Sequence, residues 1–272
     1  MLLSFSTLGC PQWPLETVVS RAAEYGYDAI DFRGLQGQLE IFKLPEFTTG
    51  IARTKDLLAK AGVAISGFST SVTLIPSGDR THSDNLADLR AYCKLCQEFG
   101  VTAIRVFEGW GDAKADENVA PAAASMREMA KIAADHGAQV LLETHAPPLG
   151  AEHCRRIMEG ADVPGAGILW DTINPWSGIG EEPEATWAVL GRWIHNTHWK
   201  DAAPDASKKE GHTYCPFGQG AFPIAKVLGI LRKGGYTGPL TLEWEKQWHP
   251  DIAEPEEAFP AFAKRMRAEL KG

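Results

Sequence analysis

The sequence predicts a single (β/α)8 barrel, a TIM barrel spanning residues 1–272, and three observations carry that reading. Short apolar runs and amphipathic helical patterns alternate from one end of the chain to the other, eight times over, as parallel strands with crossover helices require. The length of 272 residues is close to the about 250 that such a barrel typically takes. No Gly-x-Gly-x-x-Gly follows the first strand, so an open doubly wound sheet with a dinucleotide site lacks its signature. No internal domain boundary is marked.

The elements follow in order. Residues 2–7 read as the first strand, and 14–25 as a helix with apolar residues at helical spacing. Residues 27–32 form the second strand and 48–61 the second helix, which ends at Gly62, where a C-cap glycine belongs. The third pair is 63–69 with 84–99, closed by Gly100; the fourth is 102–107 with 120–136, closed by Gly137. Strands five to eight fall at 138–144, 167–171, 194–198 and 240–244, with helices near 150–159, 183–191, 222–233 and 255–270. Two connections are long. Residues 33–47 follow the second strand, and 201–221, rich in Pro, Gly and charge, follow the seventh. Both leave C-terminal strand ends, where a barrel keeps its active site. Loops of this length are lids, substrate walls or unconstrained surface segments.

Composition narrows the function classes. Hydrophobic residues make up 44% of the chain, enough for a substantial core and against disorder. A formal charge of −8 argues against a nucleic-acid partner, which calls for a basic face. No apolar run approaches the roughly 20 residues of a membrane span, and the N-terminal residues lack the basic leader and apolar core of a signal peptide. Five cysteines without a regular framework fit a reducing compartment, so the expected location is cytoplasmic. Cys93 and Cys96 lie inside the predicted third helix and read as packed thiols rather than a redox pair, which would open a helix.

Four ligand-type side chains close short apolar runs: Glu143 in Ala138-Gln-Val-Leu-Leu-Glu143, Asp171 in Ala166-Gly-Ile-Leu-Trp-Asp171, His198 in Ile194-His-Asn-Thr-His198, and Glu243 in Pro239-Leu-Thr-Leu-Glu243. A charged residue ending a buried strand is costly unless it is used or paired. In the barrel these four come from strands five to eight and share one mouth. Three carboxylates and an imidazole suit a hard divalent cation, Mn²⁺ or Mg²⁺ first, with Co²⁺ and Zn²⁺ also accepted. The alternative is four unrelated polar strand ends that cap helices or pair with basic residues.

Glu143, Asp171, His198 within Thr-His-Trp-Lys-Asp201, and Glu243 within Leu-Thr-Leu-Glu-Trp-Glu245 resemble the sugar isomerase/epimerase members of the xylose-isomerase-like barrel superfamily. These include ketose 3-epimerase, hydroxypyruvate isomerase and inosose dehydratase relatives. Gly218-Gln-Gly220 and Gly235-Tyr-Thr-Gly238 match the segment those proteins carry before strand eight. The resemblance covers essentially the whole chain. It implies that the four residues bind one divalent cation, that Glu143 and Glu243 also serve as acid and base, and that the protein forms a dimer or tetramer. A divalent cation chelated by a carbonyl and the adjacent hydroxyl acidifies the C–H between them and holds the charge of a cis-enediolate. Proton return to the opposite face is epimerisation, and return to the neighbouring carbon is isomerisation. Loss of a β-hydroxyl is dehydration. The chain departs from the ketose 3-epimerase pattern: Asn174 stands where a substrate-contacting histidine is usual, no basic residue stands shortly after the strand-seven motif, where the chain runs Ala202-Ala-Pro-Asp205, and Pro147 and Pro148 replace a second glutamate after strand five.

Further residues at the predicted mouth are candidates for substrate contact. His145 and Lys200, each two positions beyond a ligand, face the same side by strand alternation. His145 can contact substrate or support the ligands; Lys200 can polarise a substrate oxygen or pair with Glu243 or Asp201. Glu108 ends strand four and reads as a sugar-hydroxyl contact or a capped or salt-bridged carboxylate, and Arg33 reads first as a loop salt bridge. Trp13, Trp110, Trp176, Trp199 and Trp248 fall at or after strand ends. Their rings suit the C–H faces of a carbohydrate or cyclic polyol, and at least two are expected to wall the pocket. No Gly-rich cradle or basic cluster points to a phosphate. His212, in the long loop, is a weaker candidate for closing over substrate. The sequence thus predicts a metal-dependent isomerase or epimerase of a keto sugar or related polyol, with a dehydratase of a keto-inositol-like ring as the alternative. An endonuclease-type hydrolase would need more histidines at the mouth, and a non-catalytic sugar-binding barrel would be expected to lose one of the two glutamates.

Overall fold

Every barrel strand alternates side chains that pack against the helices with side chains that turn into the barrel, and this alternation positions the site. The computed structural model describes residues 1–109, 115–145, 150–205 and 211–271. Eight parallel strands close into a barrel: β1 (Leu2–Ser6), β2 (Ala29–Phe32), β3 (Ala64–Thr73), β4 (Ala103–Phe107), β5 (Gln139–Glu143), β6 (Ala166–Asp171), β7 (Ile194–Trp199) and, after a small excursion, β10 (Pro239–Leu242), which pairs back onto β1. The excursion is an antiparallel hairpin, β8 (Ala202–Pro204) with β9 (His212–Tyr214), inside the long connection after the seventh barrel strand.

Helices α1 (Leu15–Tyr25), α2 (Ile51–Ala61), α3 (His82–Phe99), α4 (Ala115–Ala134), α5 (Ala151–Ala161), α7 (Pro183–Leu190), α8 (Ile224–Lys233) and α9 (Pro255–Lys271) surround the barrel, with a short α6 (Asn174–Ile179) directly after β6. Gly62 and Gly100 close α2 and α3 at φ +67°, a left-handed conformation that glycine adopts without steric penalty. The connection of residues 33–47 is compacted by two single 3₁₀ turns, Ile41–Lys43 and Pro45–Phe47. Helix α4 begins five residues before the expected start, with Asp116 and Glu117 in its first turn, where acidic groups complement the helix dipole.

The apolar layer lies between strands and helices. Val140 and Leu142 of β5, Ile168 and Trp170 of β6, and Leu240 and Leu242 of β10 are all essentially inaccessible and belong to one continuous core with the inner faces of the helices. The intervening positions turn inward. Their side chains meet inside the barrel, as where Ser69 Oγ of β3 donates to Asp31 Oδ2 of the neighbouring β2 (2.9 Å). Among the described residues no helix is long and apolar enough to cross a membrane.

Candidate metal centre

Glu143 and Asp171 are the last residues of β5 and β6, His198 sits near the end of β7, and Glu243 follows directly on β10. Asp171 is the register partner of His198, which in turn is the partner of Thr241 on β10. Glu143 pairs with Leu169, two residues before Asp171, and Glu243 lies two residues beyond Thr241, so the four converge through the stagger of tilted strands rather than by direct pairing. One ligand atom from each lies within 4.8 Å of the others, and all four side chains are buried.

The two nitrogens of His198 face different neighbours. Nδ1 lies 3.2 Å from Glu143 Oε1 and 3.0 Å from Glu243 Oε1, whereas Nε2 lies 3.2 Å from Asp31 Oδ2. A carboxylate behind the imidazole fixes the ring and its tautomer, leaving the nitrogen on the ligand side free to coordinate. Asp171 is held in the same way from behind. Its Oδ1 accepts the backbone N–H groups of Ile173 and Asn174 at the start of α6 (3.0 Å each), which leaves Oδ2 pointing to the centre. Lys200 Nζ stands 2.8 Å from Asp171 Oδ2, 2.5 Å from Glu243 Oε2 and 2.6 Å from Glu245 Oε1. Arg105 places Nε 3.3 Å from Glu143 Oε2 while its Nη1 donates to Thr70 O (2.8 Å).

The donor set fits a divalent cation. Glu143 Oε2 and Asp171 Oδ2 are buried and held by ion-pair contacts, from Arg105 Nε at 3.3 Å and Lys200 Nζ at 2.8 Å, without a well-directed hydrogen bond among the described residues. Buried carboxylate oxygens left in this way favour a cation at their centre, and three carboxylates with one imidazole form an oxygen-rich site for a hard or borderline ion.

The electrostatics follow from burial set against close charges. Burial opposes ionisation of Glu243, but His198 and Lys200 overcome it and hold the carboxyl well below its usual range. Glu143 is likewise lowered, its burial outweighed by Arg105 and His198. Asp171 goes the other way: burial, reinforced by Glu243 and Glu143, pushes it up to about 7 against the pull of Lys200. Burial works against charge on His198, yet Glu243, Asp31 and Glu143 raise it well above the ordinary imidazole value.

Above the four ligand residues lies a cavity of about 340 Å³, walled by Leu8, Arg33, Ser71, Arg105, Phe107, His145, Glu243, Glu245 and Trp248. His145 lies where strand alternation placed it, edge-on to Phe107 at 4.8 Å, and burial lowers its pKa, which favours the neutral ring. Lys200 is bonded to Glu243 as expected, and to Asp171 and Glu245 rather than Asp201. Asp201 instead accepts the N–H groups of Ala202, Gly218, Gly220 and Phe222. A Cβ on Gly220 would fall 2.1 Å from Asp201 Oδ1, so this turn tolerates only glycine.

Other expected contacts lie off the cavity wall. Glu108 is buried against His153 of α5, 2.9 Å from its Nε2. Trp13 packs edge-on against Phe259 in the core, and Trp176 packs edge-on against Phe222. Trp199, between the inward-facing His198 and Lys200, turns outward into the strand–helix layer and donates to Thr197 Oγ1. Asn174 contributes its backbone N–H to Asp171, and Trp110 lies outside the described residues. Of the four described rim tryptophans, Trp248 alone walls the cavity. His212 stacks obliquely on Tyr214 in the β8–β9 hairpin, away from the cavity wall. Cys93 and Cys96 are buried thiols whose pKa values burial raises.

The sequence reading passed over Asp31, Arg105 and Glu245 and gave Arg33 a salt bridge. All four lay within reach of the alternation rule. Asp31 and Arg33, Arg105 and Phe107, Glu143 and His145, His198 and Lys200, Glu243 and Glu245 are pairs two residues apart. In each pair the first residue faces the deep layer and the second faces the layer above it, nearer the mouth.

Fold and site together define a (β/α)8 barrel with a buried carboxylate–imidazole cluster, a candidate metal centre, at the C-terminal strand ends. The family model for xylose isomerase-like TIM barrels matches residues 19–268, and the chain belongs to that family. No curated protein matches the sequence. Among solved structures, the chain is similar to the probable 3-DHS dehydratase AsbF involved in petrobactin synthesis from Bacillus anthracis (20% identity, TM-score 0.79, covering 98% of this chain and 99% of that one). It is also similar to the IolI protein with a bound zinc atom (18%, 0.81, 100% and 98%). A third is the D-allulose 3-epimerase from Methylomonas sp. in complex with D-allulose (16%, 0.75, 99% and 96%). Structures of this fold thus include both epimerases and dehydratases.

Proposed function

We propose that the protein is a divalent-metal-dependent isomerase or epimerase that removes a proton beside the carbonyl of a keto sugar or related polyol. The observation that carries this reading is the pair of glutamates on one imidazole nitrogen, Glu143 and Glu243, each within 3.2 Å of His198 Nδ1. Glu143, Asp171, His198 and Glu243 would hold the cation, Mn²⁺ or Mg²⁺ first. When bound, the cation acts as a Lewis acid toward the substrate oxygens and makes the adjacent C–H acidic.

The rest of the chemistry belongs to side chains. Glu243 reaches the cavity wall and is kept ionised by His198 and Lys200, so it is positioned to take the proton. Glu143, held from behind by Arg105, is the group to deliver a proton from the other side. Asp31 fixes the His198 ring. The metal-bearing floor, neutral His145 and the ring of Trp248 leave a pocket that takes one face of a polyol.

Dehydration is a second reading, and one observation favours it. Lys200 Nζ lies 2.5 Å from Glu243 Oε2, which sets a protonated amine directly beside the base. That arrangement suits removal of a proton and protonation of a departing hydroxyl from one face.

The experiment is deuterium incorporation from D₂O into a panel of keto sugars and ketoinositols, with Mn²⁺, with chelator, and with Glu243→Gln. Exchange that needs metal and is lost in the variant supports proton abstraction, and the product's NMR separates epimer, isomer and dehydrated ring. Absence of exchange in a fully metal-loaded enzyme across keto substrates with and without charge would overturn it.

A further inference from the structure

The cavity contains a cation that the metal chemistry does not employ. Arg33 is 6% exposed and walls the cavity. Its Nη1 is buried and has no hydrogen-bond partner among the described residues. Its position is set by the backbone, because the N–H groups of Arg33 and Gly34 both donate to Thr7 Oγ1 (3.0 and 3.2 Å), whose hydroxyl donates back to Gly34 O. Arg105, 2% exposed, walls the same cavity. It has tasks of its own: Glu143, Thr70 O, and the Phe107 ring 4.0 Å below its guanidinium.

Two buried guanidiniums on one wall repel each other, and an unsatisfied buried cation is costly. Burial and Arg105 together press the Arg33 pKa down to about 10, while Tyr92, Glu243 and Glu143 partly offset them. Those two carboxylates are ligand residues. Once they are committed to a divalent cation, their share of the compensation falls away, and Arg33 is left as a largely uncompensated guanidinium on the cavity wall.

We propose that the substrate carries a carboxylate, received by Arg33 and steadied by Arg105, while its keto end lies toward Glu243. This rests on reading the site as a proton-abstracting metal centre. A guanidinium fork matches a planar carboxylate with two parallel hydrogen bonds. A phosphate dianion fits less well, because Glu243 and Glu245 share the wall and repel a second negative charge. The cavity is also at the small end of the range for ligand pockets, which suits a single ring or a short chain.

The test uses three probes of one size: a hydroxylated oxocyclohexane carboxylate, its primary amide, and the corresponding phosphate monoester. Calorimetry measures their binding to Mn²⁺-loaded protein, to chelator-treated protein, and to Arg33→Met and Arg33→Lys. The acid is expected to bind at least about tenfold tighter than the amide. Arg33→Met should weaken the acid by about ten- to a hundredfold and the amide by less than about twofold. Arg33→Lys, which keeps the charge but loses the fork, should fall between; it also serves if the methionine variant does not fold. Equal binding of acid and amide to the wild type would overturn the proposal, as would tighter binding of the phosphate. So would an acid preference that chelator abolishes and Arg33→Met leaves intact, because the carboxylate would then be on the metal. Deuterium exchange in neutral keto-polyols with no acid preference would sink the carboxylate site but leave the metal-centre reading standing. An Arg33-dependent acid preference with no exchange in any probe would do the reverse.

Discussion

Asp31 offers the sharpest test of the centre, because it touches the site only through His198. Its Oδ2 accepts from Ser69 Oγ at 2.9 Å and lies 3.2 Å from His198 Nε2. A neutral imidazole that bound a cation through Nδ1 would donate its Nε2–H to that oxygen. A hydrogen bond to a charged acceptor contributes about 1.5–3 kcal/mol and one to a neutral acceptor about 0.5–1.5 kcal/mol. Asp31→Asn, which keeps an oxygen in place but removes the charge, should therefore weaken Mn²⁺ binding by about 1–1.5 kcal/mol, or about tenfold. Asp31→Ala also leaves the His198 N–H and the Ser69 hydroxyl without their acceptor and frees the ring, so its loss should approach a hundredfold. A counter-effect has a definite sign. Asp31 also helps to raise the His198 pKa, so the wild type must displace a proton that the variants hold less firmly. The deficit should consequently be small in acid and grow as pH rises past the imidazole's titration. Calorimetric Mn²⁺ titrations against a competing chelator, at several pH values, measure it. Wild-type affinity in Asp31→Ala at high pH, or a deficit that shrinks as pH rises, would refute the dyad.

Three further outcomes follow from the same geometry. With Asp171 at about 7 and His198 raised well above its usual value, the metal-free centre holds protons at neutral pH that must leave on loading; apparent Mn²⁺ affinity should climb with pH, and titrations in buffers of different ionisation enthalpy should reveal proton release. Lys200→Met strips the ammonium from Asp171, Glu243 and Glu245; metal-free protein should lose roughly 3–5 kcal/mol in denaturant unfolding, and saturating Mn²⁺ should recover a large part by neutralising two of those carboxylates. Glu108→Gln keeps an acceptor for His153 and should lower stability by about 1 kcal/mol without altering KM for any substrate found; a raised KM would return Glu108 to the substrate wall.

The fold and the clustering of the four candidate ligand residues were legible because each leaves a one-dimensional trace. A strand buried on both sides reads as an unbroken apolar run, and a charge at its end stands out. The remaining wall of the site left no such trace. Arg105 lies inside the run Ala103-Ile-Arg-Val-Phe107 and Asp31 inside Ala29-Ile-Asp-Phe32, where a lone charge reads as an interruption rather than an ending. Only closure of the sheet brings Asp31 of β2 against His198 of β7, 167 positions away. The tryptophans misled for a related reason. Position relative to a strand end says how near a residue is to the mouth, but parity says which way it points, and Trp199 lies one residue from both His198 and Lys200.

Parity also explains why substrate choice and metal binding can vary separately in this architecture. The deep residue of each pair is tied to its neighbours by the ligand set: Asp31 to His198, Arg105 to Glu143, Lys200's partner Glu243 to His198. The residue two positions on, such as Arg33 or His145, sits in the next layer and borders the cavity. Such a residue can change in charge or size with less disturbance below, since side chains two apart on a strand share a face but stand on successive levels of it; Lys200, ion-paired to Asp171 and Glu243, is the exception. An unpaired guanidinium in that upper layer, where a neutral polyol pocket has no use for one, is thus best understood as part of what this barrel binds rather than of how it reacts.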